Sequence, residues 1–245
     1  MKIDAKTKLC GLIGNPVEHS MSPLIHNTSF KNSGLNYRYF CFKVEQKNLS
    51  SALDSMRSLK IKGFNVTIPH KRAVMPYLDD IDEIAEEIDA VNTIVNFSGK
   101  LKGYNTDWTG AVKAIEELID IKNKKVVIIG AGGAARAIAF GISKKTPELI
   151  ILNRTIKKAQ SLSQDLNCEY AGLEELDKLK GDILVNATPL GMHPEVDISI
   201  ATQKQLKNFN IVFDTVYNPI ETKLIKLART AGCKTISGLK MLVYQ

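Results

Sequence analysis

The chain has 245 residues, 44% hydrophobic and 24% charged, enough to bury one large core or two modest ones, and its charges are too evenly interspersed for a disordered or low-complexity chain. The formal net charge of +7 comes from lysines scattered without aromatic interleaving or a nucleic-acid motif, so the excess reads as solvated surface that also suits small anionic ligands, not nucleic acid. No apolar run approaches the ~18 residues of a membrane span. The charged start Met1-Lys2-Ile3-Asp4-Ala5-Lys6 lacks the apolar stretch of a secretory signal, and Cys10, Cys41, Cys168 and Cys233 stand far apart, so a cytoplasmic chain with reduced thiols is expected.

Short apolar runs predict strands at Leu9 to Ile13, Tyr37 to Val44, Gly63 to Ile68, Val91 to Phe97, Lys125 to Ile129, Leu149 to Leu152, Asp182 to Asn186 and Asn210 to Asp214. Helical spacing of Leu49, Leu53, Met56 and Leu59 predicts a helix over Lys47 to Leu59, and Ala111, Val112, Ile115, Leu118 and Ile119 predict one over Asp107 to Ile119. Strand and helix alternate, which predicts an α/β protein with mostly parallel sheets. The pattern restarts after the turn Asn123-Lys124-Lys125, so two α/β domains are expected, parted near Gly103 to Asp107, with a cleft between them as the place for a ligand.

Along the first half, polar residues interrupt these elements. In His19-Ser20-Met21-Ser22, Ser22 before Pro23 reads as a helix N-cap, whereas Ser20 does not, and the two hydroxyls together suit a carboxylate. In Gly63-Phe-Asn65-Val-Thr67-Ile-Pro69-His-Lys71, Asn65 and Thr67 share one strand face and Val66 and Ile68 the other. Pro69 reads as the first helical position, which puts Lys71 in a helix first turn, where the macrodipole disfavours a cation. A lysine is ordinarily solvated surface, but one set against its local rule invites a functional reading. Asn92 is polar inside an apolar strand, and Asp107 reads as an N-cap of the linking helix.

The second half opens on Lys125-Val-Val-Ile-Ile-Gly130-Ala131-Gly132-Gly133-Ala134-Ala135-Arg136, a strand breaking into glycines and entering a helix, the pattern that presents free N–H groups to a dinucleotide pyrophosphate. Any tight strand-to-helix turn shares that pattern, but here strand and helix are both in place. An NAD site would carry Asp or Glu about 20 residues on. This chain has Asn153-Arg154-Thr155 with Lys158 one turn later, and a guanidinium fork there suits the extra 2′-phosphate of NADP. His19, His26, His70 and His193 show no metal-ligand spacing, so no metal is expected.

These motifs together resemble the shikimate dehydrogenase family from the first strand to the last residue. The matching segments are His19-Ser-Met-Ser-Pro23, Gly63-Phe-Asn-Val-Thr-Ile-Pro-His-Lys71, Ala90-Val-Asn-Thr93, Gly103-Tyr-Asn-Thr-Asp107, Gly130-Ala-Gly-Gly-Ala-Ala-Arg136, Asn153-Arg-Thr155, Asn186-Ala-Thr-Pro-Leu-Gly-Met192, Asp214-Thr-Val-Tyr-Asn-Pro219 and Gly238-Leu-Lys-Met-Leu242. The resemblance implies a substrate-binding and catalytic domain over residues 1–105, a Rossmann-like NADP domain over 106–236, and over 237–245 the start of a C-terminal helix that packs back on the first domain. It implies Ser20 and Ser22 on the substrate carboxylate, Asn65, Thr67, Asn92, Asp107 and Gln245 on ring hydroxyls, and Lys71 with Asp107 as the catalytic pair. Gly130, Ala131, Gly132, Gly133 and Ala134 would meet the pyrophosphate, and Asn153, Arg154, Thr155 and Lys158 the adenosine phosphate. Thr188, Val216, Tyr217, Gly238 and Met241 would line the nicotinamide side, with Tyr217 also touching substrate.

The implied reaction is NADPH-dependent reduction of 3-dehydroshikimate to shikimate, in aromatic amino-acid biosynthesis, by a monomer or homodimer. The competing readings are an NAD-using quinate/shikimate dehydrogenase, which Arg154 disfavours, and a non-catalytic NADP-binding sensor, which has no need of both Lys71 and Asp107. Leu239, Leu242 and Val243 begin a helical pattern that stops without a cap at Gln245, so a longer native helix is expected.

Overall fold

The computed structural model describes residues 3–245 and divides them into two compact units, the first ending at Thr106 and the second beginning at Asp107. In the first unit β1 (Lys8–Gly14), α1 (Ser22–Asn32), β2 (Tyr37–Lys43), α2 (Leu49–Ser58), β3 (Gly63–Val66), α3 (His70–Ala73), β4 (Asp80–Ile81), α4 (Glu83–Ile88), β5 (Thr93–Phe97) and β6 (Lys100–Tyr104) follow in order. The sheet runs β2-β1-β3-β5-β6-β4. Its β2, β1 and β3 are parallel, whereas β5 is antiparallel to both β3 and β6. A two-residue Ser98-Gly99 turn joins β5 to β6, too short for a crossover, so that pair must be a hairpin. The mostly parallel expectation therefore holds with one antiparallel departure. A core of Ile13, Leu53, Met56, Phe64, Val66, Ile94 and Leu101 lies under α2. Leu59, expected on that helix's apolar face, is instead 71% exposed, because α2 ends at Ser58.

The second unit holds α5 (Asp107–Glu116), β7 (Val126–Ile129), α6 (Gly133–Ser143), β8 (Leu149–Asn153), α7 (Ile156–Leu166), β9 (Glu169–Gly172), β10 (Gly181–Asn186), α8 (Gln203–Leu206), β11 (Phe209–Asp214), α9 (Lys223–Thr230), β12 (Lys234–Ser237) and α10 (Gly238–Tyr244). Every ladder is parallel, in the order β12-β11-β10-β7-β8-β9. Counted from β7, that is the doubly wound dinucleotide-binding order, whose direction reverses between β7 and β10. Alternate strand residues feed two cores. Val126 and Ile128 face α5, α6, α7 and α10, while Val127 and Ile129 face α8 and α9. α10 lies along α5, with Met241 in their shared core and an ion pair between Lys240 and Glu117.

Candidate active site

The ends of short elements carry the polar residues of the first unit. Ser22 is the first residue of α1, not its N-cap; Met21 holds the cap position and makes no side-chain bond. The serine that serves the turn is Ser20, whose Oγ accepts from the Ser22 N–H at 3.2 Å. With Pro23 in the first turn and no acidic residue there, the positive end of α1 is left for an anion beside two hydroxyls.

Asn65 ends in a fixed orientation. The Tyr39 hydroxyl donates to its Oδ1 at 2.7 Å, and its Nδ2 donates to Thr93 Oγ1 at 3.0 Å. Asn92 precedes β5 and is not within the strand, which begins at Thr93. Buried there, its Oδ1 accepts from the Thr106 N–H at 3.0 Å and from Thr93 Oγ1 at 2.9 Å, and its Nδ2 donates to Thr106 Oγ1 at 2.9 Å. Asn65, Thr93 and Asn92 thus form one network ending at Thr106, the residue before Asp107.

Thr67 lies just beyond β3, its N–H donating to Ile13 O at 2.9 Å. Ile68 is exposed, because the strand has ended at Val66 and no longer sets its face. Pro69 occupies the cap position of α3 and not the first helical one, so Lys71 is the second helical residue and remains in the first turn. Lys71 O accepts from the Val91 N–H at 2.8 Å, which ties its backbone to the approach of β5. Beside it His70 is fully buried on Val44 O at 2.7 Å.

Asp107 opens the second unit as the first helical residue of α5, buried, and not as its N-cap. Gln245 lies over Gly110, one turn along the same helix. At the reversal between β7 and β10, Gly130 has φ +125°, which L side chains rarely adopt, and a Cβ there would stand 2.9 Å from Ala187 O. Gly132 is different. It holds the cap position of α6 with extended backbone, and a Cβ on it would meet nothing within 4 Å. The first turn of α6, from Gly133 and Ala134, therefore opens on space with no side-chain cap, and Ala131 packs back against the core. These features fit a pyrophosphate.

At the end of β8, Asn153 Nδ2 donates to Thr155 O at 3.0 Å. Thr155 caps α7 in position only, without a side-chain bond, and no acidic residue stands in that first turn. Arg154, Lys157 and Lys158 are all exposed there. Three cations at a helix N-terminus oppose the macrodipole, an arrangement that an added phosphate would relieve. Lys157 escaped the sequence reading, since only its position beside Lys158 in the formed first turn brings it to this end.

The remaining predicted positions lie at the ends of β10, β11 and β12. Thr188 donates through both N–H and Oγ1 to Asn186 Oδ1, at 3.0 and 2.7 Å. The Val216 N–H donates to Asp214 Oδ1 at 3.1 Å, Tyr217 follows half-buried, and Gly238 and Met241 are buried in α10. Sequence reasoning passed over the groups beneath these loops. Asn186, Asp214 and Thr222 are wholly buried. Asn186 Nδ2 donates to Asp214 Oδ1 at 2.9 Å, and Thr222 Oγ1 donates to Asp214 Oδ2 at 2.5 Å. Burial pushes the Asp214 carboxyl up to about 6, against the lowering effect of its three donors.

Family models match both units: the shikimate dehydrogenase substrate binding domain over residues 12–94, and shikimate / quinate 5-dehydrogenase over residues 112–222. The chain belongs to the shikimate dehydrogenase family. It is 49% identical over 256 residues to the shikimate dehydrogenase (NADP(+)) of Methanocaldococcus jannaschii, covering 99% of this chain and 90% of that one. It is 47% identical to the enzyme of the same name from Caldanaerobacter subterraneus subsp. tengcongensis, covering 100% and 91%. Among solved structures it superposes on a shikimate dehydrogenase in complex with NADP+ with a TM-score of 0.92 at 49% identity, over 99% of this chain and 88% of that one. The Thermus thermophilus shikimate 5-dehydrogenase, solved with NADP(H) and shikimate, gives 0.89 at 31% identity, over 97% and 90%.

Proposed function

We propose that this shikimate dehydrogenase family member is an oxidoreductase that catalyses the reversible NADP-dependent reduction of 3-dehydroshikimate to shikimate, within aromatic amino-acid biosynthesis. The observation that carries the reading is the pairing, in the second unit, of an open, uncapped glycine turn at the reversal point with a cationic, carboxylate-free N-terminus of α7. The first suits any dinucleotide; the second selects the one with a 2′-phosphate. An NAD-using quinate dehydrogenase would be expected to end β8 on an acid, where this chain has Asn153 and Arg154.

When bound, NADPH supplies the hydride. Gly130, Ala131, Gly132, Gly133 and Ala134 admit its pyrophosphate, Asn153, Arg154, Thr155 and Lys158 hold the 2′-phosphate, and Thr188, Val216, Tyr217, Gly238 and Met241 border the nicotinamide. Ser20 and Ser22 receive the substrate carboxylate at the positive end of α1. Asn65, Thr67, Asn92, Tyr217 and Gln245 position the ring; the two asparagines are held in orientation by Tyr39, Thr93 and Thr106. A ketone taking up hydride must gain a proton at its oxygen, and Lys71 donates it while Asp107 holds the neighbouring hydroxyl and completes the relay.

The four free cysteines support a cytoplasmic setting, and no helix among the described residues is long and apolar enough to cross a membrane. A small-molecule substrate needs neither nucleic acid nor membrane, and a monomer or homodimer suffices. Oxidation of NADPH and NADH followed with 3-dehydroshikimate and with 3-dehydroquinate tests the reading. NADPH with 3-dehydroshikimate should give the highest kcat/KM; equal turnover of NADH, or preference for 3-dehydroquinate, would replace it with the quinate-type activity.

A further inference from the structure

Three buried polar groups under the ends of β10 and β11 remain outside the site as proposed. Asn186 and Asp214 are register partners on these neighbouring strands. Each reaches upward to one loop and sideways to the other. The Asn186 carbonyl takes both donors of Thr188, at 3.0 and 2.7 Å, and its amide donates to Asp214 Oδ1 at 2.9 Å. That same oxygen takes the Val216 N–H at 3.1 Å. The other oxygen takes the Thr222 hydroxyl at 2.5 Å, and Thr222 Oγ1 in turn accepts from Ile225 N at 3.2 Å as the cap of α9.

A core strand normally ends in apolar residues, and an apolar pair here would cost nothing in desolvation. A wholly buried carboxylate kept at this point asks for a role besides packing. Its partners supply one, because they lie in the loops that follow β10 and β11, the first of which borders the reversal point of the sheet.

We infer that Asp214 is a positioning residue for the cofactor: with Asn186 it locks the Thr188 and Val216 loops to each other and so fixes the surface that receives the nicotinamide ring. The inference rests on the placement of Thr188 and Val216 beside that ring. It predicts an effect confined to one end of the dinucleotide, since the pyrophosphate turn at Gly130 to Ala134 and the cations around Arg154 hang on β7 and β8 and share no hydrogen bond with Asp214.

The test compares two ligands by calorimetry on the full chain: NADP+, and 2′-phospho-ADP-ribose, which lacks only the nicotinamide. Wild type should bind NADP+ the more tightly. Asp214→Ala should weaken NADP+ at least tenfold and lower kcat with 3-dehydroshikimate, while leaving the affinity for 2′-phospho-ADP-ribose and the KM for 3-dehydroshikimate nearly unchanged. Asp214→Asn, which keeps an oxygen for Val216 N–H and Asn186 Nδ2, should recover most of the loss. Should Asp214→Ala not fold, Asn186→Ala cuts the link between Thr188 and Asp214 while leaving the Val216 and Thr222 bonds to the carboxylate, and should show the same selective loss. Equal weakening of both ligands, or an unchanged preference for NADP+ in the variants, would reduce Asp214 to a structural brace. Equal affinity of wild type for the two ligands would instead remove the nicotinamide contact itself, and with it the placement of Thr188 and Val216.

Discussion

Arg154 is exposed, so its guanidinium adds little to folding, and its worth lies in what it meets. A charge-assisted hydrogen bond contributes about 1.5–3 kcal/mol, so Arg154→Asp should move the kcat/KM ratio of NADPH to NADH by roughly 10–100-fold toward NADH. Steady-state kinetics with both cofactors checks this, and an unchanged ratio would take Arg154 off the phosphate. For Lys71 the expected loss is in kcat, by ~10²–10⁴-fold with KM for 3-dehydroshikimate little changed, since proton donation belongs to the transition state. Asp107→Asn should lower kcat and also raise KM, because the carboxylate is proposed to hold a ring hydroxyl. The double variant should lose far less than the product of the single losses, as members of one relay are not additive. Near wild-type kcat in Lys71→Ala, with circular dichroism unaltered, would return the lysine to plain surface.

At the scale of elements, the turn between β7 and α6 contains two glycines with opposite reasons. Gly130→Ala forces a side chain onto φ +125° and against Ala187 O, a strain of about 1–3 kcal/mol, and should lower Tm. Gly132→Ala has a permitted backbone and meets no protein atom within 4 Å, so Tm should hold or rise slightly, yet NADP+ affinity should fall because the new methyl stands where the pyrophosphate is proposed to approach. Calorimetric melting and NADP+ titration on both variants separate the two; retained affinity in Gly132→Ala would place the pyrophosphate elsewhere. The same scale shows which elements composition could reveal. The strands β1, β7, β8, β10 and β11 are apolar runs buried on both faces, and they were legible. The missed ones are β4, β9 and β12, each at a sheet edge or short, and β6, where Lys100-Leu-Lys-Gly-Tyr104 offers a single buried apolar side chain. Such segments become strands by pairing with a formed neighbour, a signal absent from local composition.

For the whole molecule, stability against pH carries a signature of the Asp214 cluster. Its folded carboxyl titrates near 6 against 3.8 for the ordinary value, so the folded state holds this proton more tightly than the unfolded chain. That contribution is fully present below pH 3.8 and is lost as pH rises through about 6, amounting to about 3 kcal/mol. Asp79, Asp80 and Glu221 pull the other way, held below their usual range by a backbone N–H of Leu101 and Arg57, by Lys102, and by Arg229 respectively, and they favour folding as pH rises past their own titration. Asp214→Asn removes only the first effect. Its stability relative to wild type should therefore improve between pH 4 and 7, as read from urea unfolding at both ends. A constant difference would mean that Asp214 does not titrate in this window.

Periodicity and turn chemistry by themselves determined the α/β class, the restart of the pattern after residue 123, the glycine turn and the absence of an acid after β8, because each is a local property of consecutive residues. The structure divides the chain between Thr106 and Asp107. Tertiary structure alone decided which cap positions Met21 and Pro69 fill, that β5 runs antiparallel, and that the second sheet reverses direction between β7 and β10. It also decided which polar residues meet. Asn65 with Tyr39, Asn92 with Thr106, and Asp214 with Asn186 and Thr222 are separated by 8 to 28 residues in sequence. A buried donor and acceptor find each other only once the strands that carry them have paired in register, and no pattern within a single segment encodes that partner.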